Sequence, residues 1–404
     1  MPERIVIVGG GQAAAVAART LRRRKFTGSI TVIGEEPHAP YQRPPLSKEY
    51  LAGEQDLDEV VLLDEDFCAA KSIEVMTGTR VERIDAAAGR AELTGGGEVP
   101  GDAFLLATGS RARRLPGVEG ERVIYLRTMD DATRLRGYLQ PGARIVLVGG
   151  GFIGSEVAST ARKAGAEVTV LEALDVPFER ILGADMGQLC AQLQRDHGVD
   201  LRTGQTVESV DVGESGVTVR TGAGDVVEGD VVVIGIGTVP NVEVAERSGI
   251  DVDGGVLVDE YCRTSVENIW AAGDVVNAWQ PSLGRRLRVE HFDNASKQGM
   301  AAAKNMLGQT TAYDDPHWFW SDQFGLNLQQ SGVAERWDQI VVRGSIEDRD
   351  FMAFYLDTGV VRAAFAIERG GDMYLAQQMI LAQAAPDPAK LADEDVELAE
   401  LMTS

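Results

Sequence analysis

One phosphate-cradling turn is written twice in this chain. The first copy reads Ile5-Val6-Ile7-Val8-Gly9-Gly10-Gly11-Gln12-Ala13-Ala14, the second Ile145-Val146-Leu147-Val148-Gly149-Gly150-Gly151-Phe152-Ile153-Gly154. In each, a run of branched apolar residues predicts a strand buried on both faces, as in the parallel sheets of βαβ units. The first glycine (Gly9, Gly149) permits the tight turn, and the second (Gly11, Gly151) lets the backbone approach a pyrophosphate. The third position (Ala14, Gly154) lets helix pack on strand. The helix that follows offers unpaired N–H groups and the positive end of its dipole to the phosphates. One such turn is a weak signal, since a tight structural turn can look the same. Two imply that two dinucleotides are held by one chain, which is the hardware for passing electrons between cofactors.

Each copy has a carboxylate at the end of its next strand, Glu35 after Ser29–Ile33 and Glu172 after Glu167–Leu171. A carboxylate there accepts hydrogen bonds from ribose hydroxyls, although an ordinary solvated strand end also fits. At the second copy Glu172 would repel a 2′-phosphate, and Ala173, Leu174 and Asp175 offer no arginine to receive one. NADH is therefore favoured over NADPH, with Arg180, further on, the residue that weakens the argument.

At 404 residues, with 46 glycines and 44% hydrophobic residues, the chain is long enough for two or three domains of a turn-rich α/β protein. No apolar run approaches the ~18–20 residues of a membrane span. The chain enters its first strand at once, so no signal peptide is expected. Cys68, Cys190 and Cys262 stand far apart, without metal-ligand or CxxC spacing, as in a protein of the reducing cytoplasm. A net charge of −23 opposes binding to nucleic acid or to anionic membranes.

The expected organisation is an interrupted one. A first dinucleotide unit covers 1–110 and resumes over 240–312, a second is inserted over 111–239, and a C-terminal α+β domain covers 313–404. Strand-like runs are read at Gln339–Val342, Phe351–Leu356 and Val360–Ile367, and a helix at Tyr374–Ala385. The acidic end from Pro386 is expected to fray.

This layout, with Pro40-Tyr41-Gln42-Arg43-Pro44-Pro45-Leu46-Ser47-Lys48 and Trp318-Phe319-Trp320-Ser321-Asp322-Gln323, resembles the flavoproteins of the glutathione-reductase-like fold. Within them it is most similar to the NADH-dependent reductases of [2Fe–2S] ferredoxins that serve bacterial oxygenases such as cytochromes P450. The resemblance spans essentially the whole chain. It implies two Rossmann-like domains, the first for FAD and the second for NAD, plus the C-terminal α+β domain. It places Gly9, Gly11, Ala14, Glu35, Arg43, Lys48, Val81, Arg127 and Asp274 against FAD. Gly149, Gly151, Phe152, Ile153, Gly154, Glu172, Arg180 and Gly237 fall on the NADH side. Lys48 and Glu156, the latter on the first turn of its helix, would pair beside the flavin, although alone Lys48 reads as a solvated lysine. Phe152 would cover the flavin until NADH enters, with core packing as the plain alternative, and Trp320 would stand where electrons leave.

Two departures from these reductases are visible. Met300, Gln329 and Gln378 lie in or near places where the relatives carry basic docking side chains. From Ala301 to Ser404 there are seven Lys/Arg against seventeen Asp/Glu, and Arg285, Arg286 and Arg288 are either a local basic patch or a solvated loop. The string Val289-Glu290-His291-Phe292 instead resembles apoptosis-inducing factor and monodehydroascorbate reductase. His291 and Phe292 begin a helix that faces the flavin in the family, and His291 is as readily structural. The leading expectation is hydride transfer from NADH to FAD, then single electrons to a small [2Fe–2S] ferredoxin or similar carrier. A small-molecule acceptor, or a redox-responsive protein like apoptosis-inducing factor, are the alternatives. A monomer and a homodimer both fit.

Overall fold

A computed structural model describes residues 2–402. The chain forms two compact units, one of 1–43, 56–111 and 238–317, the other of 44–55, 112–237 and 318–404. The first is built on a five-stranded parallel sheet in the spatial order Ile269–Ala271, Ala103–Leu106, Arg4–Val8, Ser29–Ile33 and Ile73–Met76. The second contains its counterpart, ordered Asp200–Arg202, Glu167–Leu171, Arg144–Val148, Val231–Ile234 and Val123–Ile124.

The duplication extends to individual bonds. Arg4–Val8 pairs with Ser29–Ile33 over five residues, and Arg144–Val148 pairs with Glu167–Leu171 over the same five. Asp102 accepts from the Arg4 N–H at 2.9 Å, and Asp230 from the Arg144 N–H at 2.8 Å. Gly9 and Gly149 each donate to the last residue of the neighbouring strand, Ile33 and Leu171, at 2.8 Å. Both central strands are apolar and buried from their second residue onward, which follows from helices covering both faces of a parallel sheet.

Residues 318–402 add a five-stranded antiparallel sheet, in the order Trp318–Gln323, Leu326–Gly332, Val360–Ile367, Asp350–Asp357 and Gln339–Ser345. The three strands read from sequence lie within this sheet. The helix runs over Gly370–Leu381, earlier than the expected Tyr374–Ala385, because Ala382 to Gln383 close it and Gln383 turns left-handed.

The expectation that the chain frays from Pro386 is wrong for the described residues. Pro388–Ala392 is helical, and Leu391, Leu398 and Leu401 are buried. The cause is Arg343, 7% exposed, whose guanidinium donates to the carbonyls of Leu391, Asp393, Glu394 and Val396. Acidic side chains point to solvent while the backbone carbonyls and the leucines tie the tail down. Arg343→Met should therefore cost about 3 kcal/mol, because several carbonyls lose a charged donor at once. It should also open the segment after Pro386 to protease; an unchanged urea midpoint with an uncut tail would contradict this.

Candidate dinucleotide and redox site

The two glycine turns present the same geometry. Gly9 has φ +134° and Gly149 φ +101°, and a Cβ on either would overlap a backbone carbonyl, of Ala107 and Gly235 respectively. Only glycine fits there. A Cβ on Gly11 or Gly151 would instead meet nothing within 4 Å. The chain leaves that space open over the N-termini of the helices Gln12–Arg23 and Phe152–Lys163. Neither helix has a side-chain cap or an acidic residue in its first turn. Both turns thus fit a pyrophosphate by the same test: open space at the second glycine, over a helix N-terminus whose first turn holds no carboxylate. Ala14 is fully buried, and Gly154 packs so closely on the Gly149 carbonyl that a Cβ would collide with it. Ile153 remains 46% exposed.

The two carboxylates differ sharply. Glu35 is 68% exposed and meets Arg80 at 3.2 Å. Glu172 is 9% exposed and accepts from the Gly150 N–H at 2.6 Å and the Leu174 N–H at 2.9 Å. An ionised carboxylate offers about four acceptor positions, so Glu172 is locked in place with capacity left for hydroxyl donors. Arg180 lies on the helix Glu179–Asp196, and the Gly237 carbonyl accepts from the Arg113 N–H at 2.9 Å. Val81 is buried at the start of the strand Val81–Asp85. Arg127 immediately precedes the Thr128–Asp131 capping box of the helix Met129–Arg136.

In the first unit the Arg43 guanidinium donates to Glu36 at 2.6 Å and to the Tyr41 hydroxyl at 3.1 Å. Burial opposes its charge, yet Tyr41, Glu36 and Asp274 together hold it above the usual arginine range. The Ser110 hydroxyl donates to Asp274 at 3.0 Å. His291 is the N-cap position of the helix Phe292–Met306. Burial pushes its imidazole down to about 4, with Asp274 opposing.

Lys48 and Glu156, both in the second unit, meet at 3.1 Å, with side chains 10% and 4% exposed. Glu156 is the fifth residue of its helix and so opens the second turn, a correction to the first-turn expectation. Burial pushes its carboxyl above the usual range, while Lys48 and two hydroxyls act against that. Those hydroxyls are Ser47, donating at 2.5 Å, and Ser321, donating at 2.7 Å. Gln323 in turn donates to Ser321 at 2.9 Å. Sequence reasoning missed Ser47, Ser321 and Gln323. The signal was present: along Trp318–Gln323 the buried residues are Phe319, Ser321 and Gln323, and two polar residues on a buried strand face require a polar partner.

Trp320, on the other face of that strand, lies 5.9 Å from the Lys48 ammonium and stacks on Trp318 with ring centroids 5.4 Å apart. The Trp318 indole N–H donates to Gln329 at 3.0 Å. Phe152, the first residue of its helix, packs between Phe178 and Phe319, each 4.4 Å away. Cys68, Cys190 and Cys262 are buried free thiols, and burial pushes Cys190 and Cys262 up to about 12. They stay protonated and unreactive at neutral pH. Among the described residues no helix is long and apolar enough to cross a membrane.

Two cradles for dinucleotides, each on its own parallel sheet, define a two-dinucleotide oxidoreductase. The chain belongs to the pyridine nucleotide-disulphide oxidoreductase family, whose pattern matches residues 3–299, and a reductase C-terminal domain pattern matches residues 318–402. It is 40% identical over 400 residues to rhodocoxin reductase of Rhodococcus erythropolis, covering 98% of this chain and 93% of that protein. It is also 40% identical over 397 residues to the anthranilate 1,2-dioxygenase system ferredoxin–NAD(+) reductase component of Burkholderia cepacia, covering 97% and 98%. Putidaredoxin reductase, solved as a covalent complex with putidaredoxin, superposes with a TM-score of 0.95 at 34% identity, covering 99% of this chain and 98% of that one.

Glu156→Gln should destabilise the protein by about 3 kcal/mol, since it leaves the Lys48 ammonium nearly buried and unpaired. The double variant Lys48→Met with Glu156→Leu should recover part of that in urea unfolding; equal loss in both would contradict an ion-pair origin. A pH effect also follows. His291 and His317 are both lowered by burial from 6.5 to about 4. The unfolded chain therefore takes up protons first as pH falls below about 6.5. Stability is lost from there until the folded rings titrate near 4, by up to about 3 kcal/mol per histidine. His317→Gln should flatten the fall in thermal midpoint between pH 6.5 and 4.5, and an unchanged slope would count against it.

Proposed function

We propose that this chain is an FAD-dependent NADH:ferredoxin reductase that supplies single electrons to a small [2Fe–2S] carrier of an oxygenase system, such as one ending in a cytochrome P450. The observation that carries this reading is the Lys48–Glu156 pair beside Trp320, in a chain that matches oxygenase-system reductases over nearly its full length. When bound, FAD accepts the electron pair of NADH and releases it one electron at a time.

The protein's part is to bind, orient and tune. Gly9, Gly11 and Ala14 cradle the FAD pyrophosphate, Glu35 takes its ribose, and Val81 meets its adenine through the backbone. Arg43, Arg127 and Asp274 hold the remainder, with His291 and Phe292 at a helix start whose dipole favours the electron-rich ring. Gly149, Gly151, Ile153 and Gly154 cradle NADH, Glu172 takes its ribose, and Arg180 and Gly237 line the same ligand. On the family resemblance Lys48 would place a cation beside a bound flavin and so favour its reduced form, while Glu156 holds that cation in position against the cost of burial. Phe152 would cover the flavin when NADH is absent. Trp320 would mark the edge at which electrons leave. The absence of a reactive thiol among the three cysteines assigns all redox chemistry to the flavin, in a protein suited by its composition to the cytoplasm.

Glu172 sets the preference between nicotinamide donors. Its carboxylate cannot swing away from a 2′-phosphate without breaking two backbone hydrogen bonds, so NADPH should show kcat/KM at least about tenfold below NADH. Equal rates with the two donors would overturn this assignment. Reduction of cytochrome c by NADH should be stimulated strongly by [2Fe–2S] ferredoxins from the same organism, and no stimulation by any of them would refute the function. Trp320→Ala should slow carrier reduction by about tenfold or more while flavin reduction by NADH changes little; the opposite order would remove Trp320 from the exit.

A further inference from the structure

Phe178 has a left-handed backbone, φ 59° and ψ 11°, at the N-cap of the helix Glu179–Asp196. Glycine or asparagine tolerates that conformation, and phenylalanine tolerates it poorly. Such outliers persist where surrounding structure over-determines them. Five residues on, Gly183 breaks the same helix with φ 74° and ψ 178°. The two breaks isolate one helical turn, Glu179–Leu182, whose Ile181 and Leu182 N–H groups return to the Phe178 carbonyl at 2.8 and 2.9 Å.

That turn is anchored from the C-terminal sheet. The Tyr355 hydroxyl donates to the Leu182 carbonyl at 2.8 Å, taking up an acceptor that the break at Gly183 leaves over. The Trp337 ring lies against Gly183 so closely that a Cβ would meet it at 2.5 Å, and its edge packs on Tyr355. The turn carries two groups that face outward, Arg180 and the 43% exposed Ile181. Its one inward aromatic, Phe178, stacks on Phe152 at 4.4 Å and 27°.

We propose that Phe178 is a positioning residue for NADH entry: held by this anchored turn, its ring clamps Phe152 over the second cradle and sets how readily the dinucleotide displaces it. The proposal rests on the assignment of the second glycine turn to NADH and of Phe152 as the cover. Moving Phe152 breaks its stacking on Phe178 and its edge contact with Phe319, and each such pair corresponds to about two- to tenfold in an equilibrium constant. The clamp therefore opposes binding without touching the nicotinamide.

The test is equilibrium binding of NAD+ to the holoenzyme by calorimetry, alongside steady-state turnover with ferricyanide. Phe178→Leu should lower the NAD+ Kd and the NADH KM by about three- to tenfold, with kcat changing by less than about twofold. Tyr355→Phe, which removes only the bond to Leu182, should shift Kd the same way by a smaller factor. In a Phe152→Ala background Phe178→Leu should have no further effect. Unchanged or weaker binding in Phe178→Leu, while Phe152→Ala binds more tightly, would refute the clamp and leave the cover standing. Unchanged binding in Phe152→Ala would refute the cover itself, and the clamp with it.

Discussion

The second unit depends on how it manages one buried carboxylate. Glu156 is 4% exposed, and an uncompensated charge at that depth would cost several kcal/mol. Its compensation comes from three groups in two places in the chain: the Ser47 hydroxyl at the end of a 3-10 turn with the Lys48 ammonium just after it, and the Ser321 hydroxyl from the first strand of the C-terminal sheet. The Thr160 hydroxyl, one turn further along the same helix, donates to the Ser47 carbonyl at 2.8 Å. Removing Lys48 would leave two neutral hydroxyls that hydrogen-bond the charge but cannot neutralise it. This convergence places a cation, an aromatic pair and the start of a dinucleotide-binding helix together, and it explains why residues 44–55 fold with the second unit although the chain around them belongs to the first.

The duplicated βαβ hardware is then made unequal by its side chains. The same strand pairing, the same first-glycine hydrogen bond and the same open second glycine recur in both copies. Glu35 stands in solvent beside Arg80, whereas Glu172 is held by two backbone N–H groups. A carboxylate held rigidly discriminates against a nearby phosphate, and a mobile one paired with arginine does so weakly. On the proposed reading, one duplicated turn thereby serves two ligands with different demands.

The α/β class, the paired glycine turns and the three C-terminal strands were legible because they are local: a strand–glycine–helix pattern and runs of apolar residues carry their own period. Lys48 and Glu156 were legible as a pair only through family resemblance, since they lie far apart in sequence and neither is unusual alone. Ser47, Ser321 and Gln323 were not read as their partners, and the left-handed Phe178 was not read at all, because no local rule foresees which distant group will share a buried position. The tail misled through composition. Its acidic residues suggested solvent, while the spacing of Leu391, Leu398 and Leu401 and the one buried Arg343 decide its actual path.

The acidic balance of the C-terminal segment sets a condition on any electron acceptor, since like charges slow encounter. Trp320 and Trp318 form a stacked aromatic pair next to Lys48 in that setting, and the account requires electrons derived from NADH to reach a carrier rather than remain on the protein. The most direct measurement is anaerobic mixing of catalytic holoenzyme with NADH and an excess of oxidised [2Fe–2S] ferredoxin from the same organism, following NADH and the ferredoxin visible band together. Each NADH consumed should bleach two ferredoxins. Loss of NADH no greater than the enzyme present, with the ferredoxin left oxidised, would contradict it.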